Sequence, residues 1–187
     1  MADAREPTLI ALAGLPGSGK TTLARELAAR LGAVHVRVDV IETALSASGV
    51  IEAAGGWDAF PAAGYTVAYY LAADHLRSGT SVVADTVNPI AVTREAWRVV
   101  AREAGAVLLE VEVVCSDPAE HRRRVESREA DIPGHAQPTW DEVVAREYEP
   151  LAPGPGALRV DTAHGSGAAV GEIVARLATS ATARIGA

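Results

Sequence analysis

Apolar and polar positions alternate between two periods along this chain. Leu9-Ile10-Ala11-Leu12-Ala13 is a short apolar run that reads as a buried strand, and Leu23–Leu31 after it has helical spacing and stops at Gly32. Residues 33–38 (AVHVRV) alternate apolar and polar as a second strand, ending at Asp39, and residues 40–48 form a short helix closed by Gly49. Residues 49–64 break the rhythm with four glycines and Pro61, interleaved with Trp57 and Phe60, and read as a loop or broken helix. Tyr65, Tyr69, Ala72 and Leu76 then mark a helix over 62–77.

The second half repeats the scheme. Ser81–Asp85 is a third strand, and a helix opens at Pro89 or Thr93 and closes at Gly105. Ala106–Cys115 is the longest strand. Asp117-Pro118-Ala119-Glu120 then supplies a capping Asp, a Pro at the first helical position and an acid three residues after the cap. Residues 129–138 form a Pro/Gly loop, Thr139–Glu142 opens a short helix to about Tyr148, Leu158–Val160 is a fifth strand ending at Asp161, and Ser166–Ala183 is an Ala-rich helix. Strands alternating with helices predict βαβ units, an α/β fold with a parallel sheet and helices on both faces. Ligands of such folds lie beyond the carboxyl ends of the strands. Asp39, Asp85 and Asp161 all stand at that rim.

Composition narrows the class. A chain of 187 residues favours one domain, and 49% hydrophobic with 22% charged residues is ordinary for a globular protein. The net charge of −7 argues against a broad nucleic-acid footprint, so nucleic acid is an unlikely partner. Cys115 is alone, which excludes a disulfide framework. Residues 1–7 are polar and read as a loose start without a signal core, and no apolar run approaches the ~20 residues of a membrane span. A cytoplasmic protein without membrane association is expected, as monomer or homodimer.

The strongest chemical signal is Gly14-Leu15-Pro16-Gly17-Ser18-Gly19-Lys20-Thr21-Thr22, which fits G-x-x-x-x-G-K-[ST] (Walker A) between a strand and a helix. Its backbone N–H groups suit phosphates, with Gly14, Pro16, Gly17, Ser18, Gly19, Lys20, Thr21 and Thr22 as the nucleotide-binding residues. Lys20 reaches the outer phosphates and the Thr21 hydroxyl ligates Mg²⁺. A bare glycine turn is the alternative.

Asp39 reads either as the carboxylate that receives an acceptor's hydroxyl proton or as the cap of the helix over 40–48. Asp85 is a candidate for Mg²⁺ or substrate, with capping as its alternative; Asn88 is a candidate substrate contact or a turn residue before Pro89. Glu42 and the loop residue Trp57 are candidates for the acceptor pocket. Arg124 and Arg128, four apart, share a helix face and can neutralise a transferring phosphoryl group. The alternative is a solvated face with Arg122 and Arg123, in which Glu120 pairs with Arg124.

With GLPGSGKTTLARELA at 14–28, VRVDVIETAL at 36–45, SVVADTVNP at 81–89, DPAEHRRRVESR at 117–128 and PTWDEVVAREYEP at 138–150, the chain resembles the small P-loop kinases often called AAA family ATPases, adenylate-kinase-like and polynucleotide-kinase-like. The resemblance covers most of the chain, and only the first motif is highly specific. It implies ATP and Mg²⁺ as cofactors, a three-layer fold with strand order 2-3-1-4-5, Asp39 as general base, and Arg124 and Arg128 as lid arginines. A single kinase domain over 1–187 is expected, with an acceptor segment at 49–65 and a lid at about 122–138. Polynucleotide-kinase relatives often carry an arginine shortly after the strand-two Asp. Here the next charge is Glu42, which fits a neutral or cationic acceptor better than a phosphorylated one.

The expected function is transfer of the ATP γ-phosphate to a hydroxyl of a small molecule such as a sugar, nucleoside or antibiotic. The alternatives are a nucleotide or polynucleotide end kinase, and an ATP-binding switch or toxin-type regulator with low hydrolysis. The chain is too short for the second helical domain of a remodelling motor.

Overall fold

The structure is a computed structural model and describes residues 6–185; residues 1–5 of the expected loose start lie outside the described residues. Strands β1 (Thr8–Ala13), β2 (Val34–Arg37), β3 (Val82–Asp85), β4 (Val107–Val114) and β5 (Ala157–Asp161) form one parallel sheet in the order β2-β3-β1-β4-β5. The phosphate loop thus leaves the central strand, as the resemblance implied.

Parallel strands covered on both faces are apolar at nearly every position, and alternate residues feed two cores. Ile10, Leu12, Val83 and Val111 pack with Leu23 and Leu27 of α1 (Lys20–Leu31) and Ile173 of α8 (Gly167–Ile185). Leu9, Ala11, Val82 and Ala84 face the other way. They meet Ala68, Ala72 and Leu76 of α4 (Ala63–Arg77) and Trp97 of α5 (Ala91–Glu103). The small residues of α4 let it lie close on the sheet, and Trp97, fully buried, fills the space beside it.

Two boundaries differ from expectation in ways that matter for the site. Asp39 does not end β2. Helix α2 runs Val38–Ala47, so Asp39 lies in its first turn and the N-cap is Arg37. Helix α6 (Pro118–Glu126) is capped by Asp117, whose Oδ1 accepts from the backbone N–H of Ala119 and Glu120. It stops at Glu126, so Arg128 lies in the following loop and does not share a helix face with Arg124. The segment 49–65 contains the single-turn α3 (Val50–Ala53) and turns before α4, and α7 (Trp140–Ala145) ends before Tyr148.

Candidate functional site

A cleft of about 860 Å³ opens at the carboxyl ends of the strands. The phosphate loop lines it, together with residues from the loop between α6 and the short helix that opens at Trp140. Helix α6 packs directly on the loop. A Cβ on Gly17 would stand 2.5 Å from Val125 Cγ2, and Gly17 holds φ +79°, so a side chain is excluded twice. His121 Nε2 lies 2.8 Å from the Pro16 carbonyl, which can only accept, so Nε2 carries the proton. On the other side, the Thr162 hydroxyl donates to the Ser18 carbonyl at 2.6 Å. The loop is therefore clamped between α6 and the residue that follows β5.

Lys20 is buried, and its ammonium donates to the Leu15 carbonyl at 2.8 Å. Burial lowers its pKa to about 8, against the opposing pull of Asp85 and Asp39. Asp85, 4% exposed, ends β3 beside β1; it accepts from Thr21 and lies 3.1 Å from His35 Nε2. Burial alone would raise its pKa, but the hydrogen bond with His35 and the charge of Lys20 hold it below the usual carboxylate range. A hydroxyl and an ionised carboxylate in contact are hard oxygen donors that suit Mg²⁺, which typically takes one or two protein ligands and leaves the rest to phosphates and water. Among the described residues no group of three or more His, Cys, Asp or Glu forms a metal cage.

A second group of residues lines the cleft beside Lys20. Asp39 lines the cleft, with its Oδ2 at 3.5 Å from Arg37 Nη2 and 3.9 Å from His135 Nε2. Glu42 lines the same wall because Gly64 lets it in: a Cβ on Gly64 would stand 2.3 Å from Glu42 Cγ. Burial first, and the charge of Asp39 second, raise Glu42 to about 7. Tyr65 closes this wall. Its hydroxyl accepts from Thr86 Oγ1 at 2.5 Å and from the Asn88 backbone N–H at 2.9 Å.

The arginines divide by location. Arg122 and Arg123 pair with Glu126 and Glu120 on the exposed side of α6 and do not line the cleft. Arg124 lines the cleft and also pairs with Glu120, 2.7 Å from Nε. Its Nη2 donates to the carbonyls of Thr162 and Ala163, at 2.8 Å and 3.2 Å. It borders a second recess of about 180 Å³ lined by Gly19, Thr22, Thr162, Gly165 and Ser166. Arg128 and Arg146 line the main cleft near Lys20.

Two expected contacts, and the third rim carboxylate, lie elsewhere. Trp57 donates its indole N–H to Ser46 Oγ at 3.2 Å and does not line the cleft; of the segment 49–65 only Tyr65 does. Asn88, 1% exposed at φ +48°, is a turn residue whose carbonyl is held by Arg94. Asp161 accepts from the N–H groups of Ser116 and Ala163 and ties two loops together away from the cleft. Conversely, Arg25, Asp131 and His135 line the cleft, and His35, Arg37 and Thr162 contact residues that do; none of the six was singled out. Charged or polar side chains at alternate positions of β2, His35 and Arg37, were the available signal.

The sequence of residues 9–148 matches the family model described as AAA domain. The chain belongs to this family. No curated protein matches it. Solved structures extend the likeness of this AAA-domain chain to its whole fold. A presumed kinase from Chloroflexus aurantiacus J-10-fl superposes with a TM-score of 0.73 at 24% identity, covering 92% of this chain and 99% of the other. A gluconokinase from Sinorhizobium meliloti 1021 gives 0.65 at 19% identity, with 97% of each chain covered. The Mycobacterium tuberculosis APS kinase, in complex with AMPPNP and APS, gives 0.64 at 19% identity, covering 92% of this chain and 98% of that one. The fold is that of the P-loop kinase-like group of NTPases.

Proposed function

We propose that this AAA-domain protein is an ATP-dependent phosphotransferase whose acceptor is a hydroxyl of a small molecule. One observation carries the reading: Asp39 faces the cleft that also holds Lys20, Thr21 and Asp85, so a carboxylate stands where an acceptor can meet the end of a triphosphate. The structural neighbours described as a gluconokinase and an APS kinase support transfer to a small molecule.

In this reading the triphosphate lies along residues 14–22, its charge met by backbone N–H groups and Lys20. Thr21 and Asp85 would hold Mg²⁺, whose positive charge would offset that of the phosphates. Arg124 and the recess between Thr162 and Ser166 receive the nucleoside end, while Arg128 and Arg146 face the transferring group. The acceptor oxygen forms a bond to the γ-phosphorus, and the bond from that phosphorus to the β–γ bridging oxygen breaks. Its electron pair leaves with ADP, and the hydroxyl proton passes to Asp39. Glu42 and Tyr65 shape the acceptor wall.

The acceptor class remains that of sugars, nucleosides and antibiotic-like molecules, in a cytoplasmic setting. A neutral or cationic preference was argued from the positions after Asp39. The fold brings Arg25, Arg128 and Arg146 to the same cleft, and their charge suits an anionic acceptor equally. The deciding experiment is a transfer screen with ATP·Mg²⁺ against sugars, sugar acids, nucleosides and antibiotics. A kinase shows ATP turnover that rises strongly with one acceptor class. Equal low turnover with every compound would instead support a nucleotide-binding switch.

A further inference from the structure

Asp131 belongs to the loop between α6 and α7, yet its carboxylate is seated in a cluster of arginines from three separate parts of the fold. Arg37, the last residue of β2, grips it with both arms: Nη1 to Oδ2 at 2.7 Å and Nη2 to Oδ1 at 3.1 Å. Arg25 of α1 also donates to Oδ2, and Arg128 Nη2 lies 3.8 Å from Oδ1. The Arg37 side chain is 5% exposed, whereas Asp131 is 32% exposed. The arginine fork thus lies just behind the cleft-lining residues Asp39 and Asp131, and the Asp131 carboxylate covers it from the solvent side.

Two features separate this arrangement from an ordinary surface pair. Its position is the first: Arg25, Asp39, Arg128 and Asp131 all line the main cleft, and Arg37 Nη2 is 3.5 Å from Asp39 Oδ2. Incomplete satisfaction of Arg37 is the second. Its buried Nε makes no hydrogen bond and stands 3.7 Å from Asp85 Oδ2. A guanidinium fork recognises carboxylate and phosphate alike through paired N–H groups. A loop carboxylate on such a fork occupies the place an acidic ligand would take.

We propose that the phosphoryl acceptor carries a carboxylate or phosphate group, and that this group replaces Asp131 on Arg37, flanked by Arg25 and Arg128. The proposal rests on the kinase reading, in which the acceptor hydroxyl meets Asp39. Because Arg37 and Asp39 touch, the reacting hydroxyl and the acidic group are separated by only a few bonds. The substrate class is therefore a compact hydroxy acid, sugar acid or phosphorylated polyol. Asp131 acts as an internal competitor that raises the concentration at which any acidic acceptor binds.

The test measures binding, not turnover, with the phosphate loop filled by AMPPNP and Mg²⁺. D-Glycerate, sn-glycerol 3-phosphate and glycerol are titrated calorimetrically into the natural protein, Asp131→Ala, and Asp131→Ala combined with Arg37→Gln. Removing Asp131 should tighten at least one of the two anions about tenfold and leave glycerol unchanged; which anion gains tells carboxylate from phosphate. Arg37→Gln should erase the gain, and Arg37→Lys, which keeps the charge but loses the fork, should erase most of it. The proposal is overturned if neither anion gains in Asp131→Ala, if glycerol gains equally, or if the gain survives both Arg37 substitutions. Unchanged AMPPNP affinity checks that each variant is folded. Anion binding without any acceptor-stimulated turnover would sink the kinase reading alone.

Discussion

Lys20 Nζ donates to the Leu15 carbonyl at 2.8 Å, so the ammonium is folded back into its own loop while its pKa is held at about 8 by burial. Both facts concern the same charge. In the proposed nucleotide mode phosphates need Lys20 protonated, and the free protein begins to lose that proton near the upper end of neutral pH.

Nucleotide affinity is therefore expected to weaken as pH rises through about 8. The sign follows from linkage: bound phosphates stabilise the ammonium, so above that pH binding must take up a proton. The dissociation constant of AMPPNP·Mg²⁺ should be flat from about pH 6.5 to 7.5 and then grow by up to roughly tenfold per unit, the limit for one proton. Lys20→Met should bind weakly with no such rise. A flat profile in the natural protein would remove Lys20 from the phosphate contacts.

Much of this arrangement was readable from the chain because it is local. The strand–loop–helix order around residues 9–31 follows from period and glycine placement, and α1 ends where the spacing predicts, at Leu31 before Gly32. The family likeness supplied the strand order, since periodicity alone does not rank strands. What escaped were pairs distant in sequence. Arg37 and Asp131 are 94 positions apart, and Thr162 and Ser18 are 144 apart. No local pattern encodes such contacts. Trp57 misled for the converse reason: an aromatic in a glycine-rich loop suggests ligand stacking, but here its ring N–H reaches back to Ser46. Asp39 was placed at the correct rim but on the wrong element, because Val38 serves both the alternation of β2 and the first turn of α2.

Asp39→Asn is expected to separate chemistry from donor binding. Losing a proton acceptor in the transition state costs typically 10²–10⁴-fold in rate. AMPPNP affinity should stay within about twofold, because the first contacts of the phosphates are with residues 14–22. Single-turnover transfer and equilibrium binding of the same preparation make the comparison. Full transfer activity in Asp39→Asn would assign the base elsewhere.

Thr162→Val tests the clamp on the phosphate loop. The hydroxyl donates to the Ser18 carbonyl at 2.6 Å and accepts from Arg124 Nη1 at 3.1 Å. Valine keeps the shape and leaves a buried carbonyl unpaired, a cost of about 1–3 kcal/mol. At this chain length each kcal/mol corresponds to roughly 2–4 °C of melting temperature. A thermal melt should show that drop, together with weaker AMPPNP binding. An unchanged melt and unchanged affinity would mean that Thr162 merely fills space.

Glu42→Gln addresses the proposed acceptor wall. Burial beside Asp39 lifts Glu42 from 4.5 to about 7, so the folded protein holds a proton that the unfolded chain releases. Ionising Glu42 in place opposes folding, and its penalty therefore develops as pH rises from about 4.5 to 7 and persists above. Glutamine is neutral throughout. The variant should match the natural protein near pH 4.5 and become the more stable of the two above pH 7, as read by denaturant midpoints at both ends of the window. The same protonation governs what the wall offers a substrate. Below pH 7 Glu42 can donate a hydrogen bond toward an acidic acceptor, and above it a second negative charge joins Asp39. An acidic compound should thus bind the natural protein less tightly as pH rises, and bind Glu42→Gln with a shallower dependence. A stability difference that stays constant between pH 4.5 and 8 would show that Glu42 ionises as an ordinary carboxylate, and the wall would then carry both charges throughout.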